Sequence, residues 1–411
     1  MKVCQAKSPC ILRFRGFCHV VTFGTLKLKK KNKILLIFGT RPEVIKMAPV
    51  FWELSRNKDF FETITCITSQ HKSLILKLIS SFKIEVNYDL RVMKPGQSLS
   101  DLTSSLIKKL NAVVKEVNPN LIMVQGDTIS SYAGALIAFY NDIKICHIEA
   151  GLRSFDMRAP FPEEFYRKSI STISHFNFAP TKLNKMNLLK EGGIKENIFI
   201  TGNTVIDCLL EALNLYNNDE IIKKKVNKSL DSIINFDWQS QKFILITGHR
   251  RENIGKAFEN IMLALSLLAK NNPKIKFVYP IHPNPLVRNS FSKLTKQFKN
   301  FLLIEPLEYL EFSVLMSKCF FVMTDSGGVQ EEAPSLGKPV LLMRDKTERI
   351  EGVEKGVVKM VGSNVQSIIE EANLLLIDKN EYMKMSKISN PYGNGKAAKK
   401  IVNILKDRLY E

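Results

Sequence analysis

The sequence predicts an α/β protein with two open, doubly wound domains that face each other across a cleft. Short apolar runs recur from residue 33 onward, and they are near-continuous rather than alternating, as in parallel strands buried on both faces. A polar or glycine-rich turn and an amphipathic, helix-like stretch follow each run, which is the order of a βα unit. The runs form two series of about six, and this repetition predicts two Rossmann-like sheets.

The apolar runs give the strands in order. The first series is KILLIF (33–38), ETITCIT (62–68), LIMV (121–124), KICHI (144–148), FNF (176–178) and IFIT (198–201). The second series is FILIT (243–247), KFVYPI (276–281), FLLIE (301–305), FFVMT (320–324), PVLLM (339–343) and VVKMV (357–361).

The two series meet near residues 202–240, where the charged, Asn-rich segment 217–241 has little strand character. We therefore expect a first domain over 33–204 and a second over 205–394. A Pro/Gly turn precedes the last amphipathic stretch, and this helix (395–411) is expected to pack back on the first domain. Residues 1–32 form a basic extension to which no role is assigned.

Composition is ordinary for a water-soluble globular protein, except for the charge. The chain of 411 residues carries a net charge of +20, but nine basic and no acidic residues lie in positions 1–33. The remaining +11 is spread as lysine among asparagine and isoleucine, which favours a solvated surface over a nucleic-acid site. No apolar run approaches the ~18 residues of a membrane helix. Seven cysteines without a CxxC pair favour a reducing, cytoplasmic compartment.

Charged residues, histidines and glycines follow the predicted strands at their carboxyl ends, where open parallel sheets bind ligands. The segments are GTRPE (39–43), SQH (69–71), QGDT (125–128), HIEAGLR (147–153), TGHRRE (247–252), IHPNP (281–285) and DSGG (325–328). Their concentration at one predicted edge of each sheet indicates a ligand site more strongly than any single motif does.

Two of these segments are typical of anion binding. In GTRPE, Arg41 stands at a helix N-terminus, whose N–H groups and dipole favour an anion; the alternative is a plain strand–helix turn with an exposed arginine. In TDSGG, Gly327 and Gly328 allow the backbone to approach a ligand closely. The chain contains neither GxxxxGK[ST] nor GxGxxG, so a P-loop and a nicotinamide cofactor lack support.

Acidic side chains in the same positions are candidates for proton transfer. Asp127 and Glu149 end neighbouring predicted strands and could converge, while Glu163 and Glu164 follow in PFPEE. A strand-end aspartate also caps helices, and adjacent glutamates are usually exposed, so both alternatives stay open. His249, next to a glycine, is the residue of TGHRRE expected to enter the cleft. No histidine or cysteine spacing predicts a metal site.

Taken together, these blocks resemble the bacterial non-hydrolysing UDP-N-acetylglucosamine 2-epimerases. The matching segments are KILLIFGTRPEVIKMAPV (33–50), QGDT, HIEAGLRS (147–154), PFPEE (160–164), ITGNTVID (200–207), TGHRREN (247–253), TDSGGVQEEAPSLGKPVLLMRDKTER (324–349) and NPYGNG (390–395). The resemblance implies a glycosyltransferase-B-like fold that inverts C2 of a UDP-sugar without metal or nicotinamide. It further implies elimination of UDP to a 2-acetamidoglucal, followed by re-addition.

The resemblance also assigns residues. It implies that the catalytic groups are Asp127, Glu149, Glu163 and His249. The substrate-binding residues it implies are Arg41, Lys46, Phe312, Ser326, Gly327, Gly328, Glu332 and Arg349. Gln70, Arg250 and His282 match the place where the bacterial enzymes bind a second UDP-N-acetylglucosamine as activator.

Further expectations follow from the family: a cytoplasmic homodimer that supplies N-acetylmannosamine units for cell-surface polysaccharide. One departure is Leu307, which stands where some relatives have glutamine near the uracil. Three rival functions stay open, namely a glycosyltransferase of the same architecture, a hydrolysing 2-epimerase, and a non-catalytic UDP-sugar sensor.

Overall fold

The computed structural model describes residues 30–69, 72–248, 256–281 and 297–410. Its strands form two separate, entirely parallel sheets, and helices separate most successive strands within the described residues. The predicted pair of Rossmann-like domains is thereby confirmed. Within the described residues, no helix is both long and apolar enough to cross a membrane.

The first sheet has seven strands in the order β3-β2-β1-β4-β5-β6-β7. Its strands are β1 (Asn32–Phe38), β2 (Phe61–Ile67), β3 (Tyr88–Asp89), β4 (Leu121–Gln125), β5 (Lys144–Ile148), β6 (Phe176–Ala179) and β7 (Ile198–Ile200). Its helices are α1 (Arg41–Arg56), α2 (Lys72–Ser81), α3 (Leu99–Val117), α4 (Ile129–Tyr140), α5 (Glu163–Ile173) and α6 (Lys182–Lys190). The short edge strand β3 was not predicted, because two residues without an apolar run carry no periodicity signal.

Two helices follow the first sheet, α7 (Thr204–Asn218) and α8 (Glu220–Ile233). The second sheet has six strands in the order β10-β9-β8-β11-β12-β13. These are β8 (Phe243–Thr247), β9 (Lys276–Pro280), β10 (Phe301–Ile304), β11 (Phe321–Thr324), β12 (Val340–Leu342) and β13 (Val358–Met360). The remaining α-helices of the described residues are α9 (Lys256–Asn271), α10 (Tyr309–Lys318), α11 (Gly327–Glu332), α12 (Ile350–Glu354), α13 (Val365–Ile377), α14 (Lys379–Ser386) and α15 (Ala397–Tyr410).

The strands are buried because apolar residues on both of their faces are covered by helices. In β1, residues 34–38 are completely inaccessible to solvent. The candidate site residues instead follow the carboxyl ends of these buried strands, at the edge of each sheet.

Helix α15 packs against α1 and α7, and Ile401, Val402 and Leu405 are buried in the core of the first sheet. The N-terminus of α15 is held by Asp207 in α7, whose carboxylate accepts from the N–H groups of Ala397 and Ala398 at 3.1 and 2.8 Å. The end of the chain thus returns to the first domain. The exact domain limits stay a prediction.

Candidate active site

The site lies where the carboxyl ends of the two sheets carry their polar residues. The strand-end segments after β1, β4 and β5 lie on the first domain, and the segment after β11 lies on the second. This is the position at which open α/β sheets bind ligands.

Glu149 is the centre of the first-domain cluster. It follows β5 in a left-handed backbone conformation (φ +65°), and its carboxylate is almost wholly buried. The Lys46 ammonium lies 2.5 and 2.6 Å from the two carboxylate oxygens. Asn203 Nδ2 donates to Oε1 at 2.9 Å, and Gln125 Nε2 donates to Oε2.

The surroundings of Lys46 and Glu149 favour the charged form of both side chains. Burial by itself raises the pKa of Glu149, but the positive charges of Lys46 and Arg349 and the hydrogen bonds hold that pKa below its usual value. Burial by itself lowers the pKa of Lys46, but the carboxylates of Glu149 and Glu331 raise it by more. The pKa of Lys46 therefore lies above its usual value. Glu149 is therefore an ionised carboxylate inside the cleft.

A second buried ion-pair cluster belongs to the second domain. Arg349 Nε donates to Glu331 Oε1 at 2.6 Å, and Arg349 Nη1 donates to Glu348 Oε1 at 2.7 Å. Glu331 Oε2 also accepts from Asn203 Nδ2 at 2.9 Å. Glu331 thus holds Arg349 in place and contacts the same amide as Glu149 does.

The two glycines that open α11 have different surroundings. A Cβ on Gly327 would lie 2.7 Å from Arg349 Nη1 and 2.8 Å from its Cζ, so the guanidinium occupies the space a side chain would need. The nearest atom to a Cβ on Gly328 is Glu332 Oε2, at 3.8 Å. Packing therefore requires a glycine at position 327 but not at position 328.

Glu332 lies at the other end of α11 and is 6% exposed. Tyr309 donates its hydroxyl to Glu332 Oε1 at 2.8 Å. Burial raises the pKa of Glu332 to about 7, against the opposing effect of this hydrogen bond. The carboxyl can therefore change its protonation near neutral pH.

Asp127 is held by an arginine that sequence reasoning missed. Arg167, in α5, donates from Nε to Asp127 Oδ2 at 2.8 Å, and its Nη2 lies 2.7 Å from the same oxygen as part of the ion pair. Arg167 Nη1 donates to Glu164 Oε2 at 3.1 Å. Glu164 and Arg167 are three residues apart on one helix, a spacing that could have indicated the pair.

Glu163 and Glu164 are adjacent but differ in their partners. Glu164 accepts the N–H groups of Ser154 and Phe155 at 3.1 and 3.2 Å, so it holds the loop after β5. Glu163 Oε2 is buried and has no hydrogen-bond partner within the described part of the chain. An unpaired buried oxygen of this kind is available to a ligand.

Glu43 joins two of the strand-end loops. Its Oε2 accepts the N–H groups of Gly39 and Thr40 at 2.9 and 2.7 Å, and its Oε1 accepts the hydroxyls of Thr128 and Ser131 at 2.6 and 2.8 Å. The GTRPE turn and the loop that carries Asp127 are thus fixed to each other. Sequence reasoning recognised the turn but not this shared carboxylate.

Arg41 and Leu307 approach each other across the cleft. Arg41 Nη2 donates to the carbonyl oxygen of Leu307 at 3.3 Å. The Leu307 side chain is buried in the apolar core of the second domain, which explains why an apolar residue is tolerated at this position.

The structure brings Lys46 and Glu149 together and places Arg349 beside Gly327. Ser326 precedes the first residue of α11, and Phe312 is half-buried in α10. Other predicted residues lie outside the described residues: His249, Arg250, Gln70 and His282. In the part of the chain that is described, no group of three or more His, Cys, Asp or Glu could hold a metal ion.

Comparison with known proteins yields one consistent family. A family model described as UDP-N-acetylglucosamine 2-epimerase matches residues 53–406. A UDP-N-acetylglucosamine 2-epimerase of Campylobacter jejuni is 48% identical over 374 residues, which cover 91% of this chain and 97% of that protein.

Solved structures agree with the sequence match. The Neisseria meningitidis UDP-GlcNAc 2-epimerase bound to UDP-GlcNAc has a TM-score of 0.85 at 46% identity, covering 91% of this chain and all of that one. The co-structure of S. aureus MnaA with UDP has a TM-score of 0.81 at 43% identity, covering 92% and 97%. Similarity of this extent includes both sheets and the cleft between them.

Proposed function

The chain belongs to the UDP-N-acetylglucosamine 2-epimerase family, and we propose that it interconverts UDP-N-acetylglucosamine and UDP-N-acetylmannosamine by eliminating and re-adding UDP. The observation that most directly supports this chemistry is the buried contact between Lys46 and Glu149 at 2.5 Å. A carboxylate kept ionised at the carboxyl edge of the sheet is suited to proton transfer at carbon.

The proposed reaction has two halves. A base removes the proton from C2, the C–H electron pair forms the C1=C2 double bond, and the C1–O bond breaks so that UDP leaves with its electron pair. An acid then returns a proton to C2 on the opposite face, and a UDP oxygen adds to C1. Proton transfers on opposite faces require separate groups on each side of the ring.

We assign these transfers to carboxylates of the first domain. Glu149 is ionised and rigidly held by Lys46. Asp127 is 28% exposed in its side chain and oriented by Arg167, so it can reach a ligand. Glu163 supplies an oxygen without a protein partner in the described residues. His249 is proposed to act on the diphosphate side.

The second domain is proposed to bind UDP. Departure of UDP accumulates negative charge, which fixed cations stabilise. Arg349 is held by two carboxylates directly beneath Gly327, and Arg41 faces the second domain from across the cleft. The first turn of α11 leaves backbone N–H groups outside the helical hydrogen bonds, and Gly327 and Gly328 belong to this turn, which Ser326 precedes.

The nucleoside is proposed to lie against α10 and the end of α11. Glu332 is proposed to accept hydroxyls of the ribose, and Phe312 is proposed to contact the uracil. Lys46, although paired with Glu149, is proposed to contact the sugar side of the substrate.

Several expectations from the family stay proposals. We propose a cytoplasmic homodimer that supplies N-acetylmannosamine units for cell-surface polysaccharide. Gln70, Arg250 and His282 are proposed to bind a second UDP-N-acetylglucosamine as activator. Light scattering of the purified protein tests the dimer, and initial rates against substrate concentration test the activator, because activation by substrate gives a sigmoidal curve.

The reaction is tested by incubation with UDP-N-acetylglucosamine in D₂O, followed by NMR of the C2 proton. The proposal expects deuterium at C2 and formation of the manno epimer. Bound nucleotide without C2 exchange and without the manno product contradicts it. Stoichiometric UDP release without an acceptor indicates a hydrolysing enzyme, and UDP release only with an added acceptor indicates a glycosyltransferase.

A further inference from the structure

Asn203 lies where the chain crosses between the two domains. It caps the N-terminus of α7, a helix that contacts α1 of the first domain and both α10 and α11 of the second. Its backbone N–H donates to the Tyr392 carbonyl at 2.7 Å, in the segment by which the chain returns to the first domain. Gly202 and Gly393 have positive φ values and approach each other closely here, at the crossing of the two connections.

The Asn203 side chain uses every polar atom that it has. Its Oδ1 accepts the Val205 N–H at 3.1 Å, as the cap of α7. Its Nδ2 donates one hydrogen bond to Glu149 Oε1 and one to Glu331 Oε2, both at 2.9 Å. The reverse amide orientation is excluded because it would place the oxygen between two carboxylates.

The two carboxylates belong to different domains, and each has a cation from its own domain. Lys46 neutralises Glu149, and Arg349 neutralises Glu331. The neutral amide of Asn203 therefore contacts one charged pair on each side of the cleft. Asn203 lies on the segment that connects the two domains, so neither domain alone determines its position.

We propose that Asn203 is a positioning residue that couples the angle between the two domains to the orientation of the Glu149 carboxylate. This inference rests on the proposed function, in which Glu149 transfers a proton. Rotation of the second domain about the connection moves Glu331 relative to Glu149, and one amide donates well to both only over a narrow range of angles. The Glu149 carboxylate is then correctly oriented only at the angle between the domains that also places Arg349 against the nucleotide.

The test is Asn203→Ser in the full-length protein. Serine is a good N-cap and retains the oxygen for α7, but it lacks the two N–H donors. Asn364→Ser is the matched control, because Asn364 caps α13 by the same kind of contact, to Ser367 N at 2.9 Å, and is exposed.

We expect Asn203→Ser to lower kcat by about 10- to 100-fold, because small misplacements of a reacting group have effects of this size. KM and UDP affinity should change by less than about threefold, since no nucleotide contact is removed. The limb of the kcat pH profile that reports Glu149 should move to higher pH, because its charged form loses a donor while Lys46 and Arg349 remain. A role limited to capping α7 would not move this limb.

A double-mutant cycle tests the coupling itself. If Glu331 acts on Glu149 through the amide, Glu331→Gln and Asn203→Ser should have non-additive effects on kcat. Additive effects, or wild-type kcat and an unchanged pH profile in Asn203→Ser, overturn the inference.

Failure of the inference can be told apart from failure of the proposed function. If the wild type exchanges C2 deuterium and Glu149→Gln does not, while Asn203→Ser behaves as the wild type, only the positioning role is wrong. If Glu149→Gln exchanges normally, the assignment of Glu149 is wrong, and the coupling inference is overturned with it.

Discussion

Substituting the two adjacent glycines of α11 by alanine, one at a time, should have different effects on stability: Gly327→Ala should destabilise the protein and Gly328→Ala should not. In Gly327→Ala, the new methyl group would meet the Arg349 guanidinium at 2.7 and 2.8 Å from Nη1 and Cζ. A normal contact needs about 3.5 Å, so the guanidinium must move by roughly 0.7 Å. That movement disturbs its bonds of 2.6 and 2.7 Å to Glu331 and Glu348.

Overpacking of this kind costs about 1–3 kcal/mol of the free energy of unfolding. For a cooperative unit of 150–250 residues, we expect the melting temperature to fall by about 2–4 °C for each kcal/mol. If Arg349 binds the nucleotide, UDP affinity should also fall by about tenfold or more, since a hydrogen bond to a charged group contributes about 1.5–3 kcal/mol.

Gly328→Ala is the matched control. Its new methyl group meets nothing closer than Glu332 Oε2 at 3.8 Å, and the residue lies in a helix. Alanine restricts the unfolded chain, so stability should stay equal or rise by about 0.4–1 kcal/mol. The assay is denaturant and thermal unfolding of both variants without ligand, followed by UDP titration. Equal stability of the two variants, or a Gly327→Ala protein as stable as the wild type, would refute the packing argument.

Three other predictions concern protonation. Asp127→Asn should slow C2 deuterium exchange by a factor of about 10² or more while UDP affinity is kept. The reason is that asparagine has the shape of aspartate but cannot accept the proton. Wild-type exchange in this variant rules out proton transfer by Asp127. UDP affinity should weaken as pH falls through about 7, the pKa to which burial raises Glu332, because the ionised form is the better acceptor for ribose hydroxyls. Calorimetry at pH 6 and 8 tests this, and a slope that persists in Glu332→Gln contradicts it. Burial lowers the pKa of His147 from 6.5 to about 4, so the unfolded chain binds a proton over this range that the folded protein does not. The resulting loss of stability, about 3 kcal/mol, is absent above pH 6.5, grows as pH falls from 6.5 to 4, and is complete below pH 4. Urea unfolding across this range should show a shallower pH dependence in His147→Gln than in the wild type, and equal slopes exclude the assignment.

Much of the fold followed from local patterns. Each strand of the second series was predicted to within a residue or so, because a short, near-continuous apolar run bounded by turn residues is typical of a parallel strand buried on both faces. The GTRPE turn was recognisable because Gly39, Thr40 and Pro42 are residue types typical of a turn that begins a helix. The two-residue strand β3 was beyond such patterns, and the domain limits of 33–204 and 205–394 stay a prediction.

The partners of the charged residues were decided by the tertiary structure. Lys46 and Glu149 are 103 positions apart, and Asn203 and Glu331 are 128 apart, so no local period relates them. Asn203 is an ordinary helix cap in sequence terms, and its second role exists only because β7 ends beside the cleft.

The sequence alone determined which residues form strands, which polar residues follow them, and which family they resemble. Those features depend on hydrophobic periodicity and on turn chemistry, both of which act over a few neighbouring residues. Only the tertiary structure decided that Lys46 holds Glu149, that Arg167 holds Asp127, and that Arg349 fills the space beside Gly327. The physical reason is that burial removes water from these charges, so each must find a partner among the groups that sheet order and helix packing bring within reach.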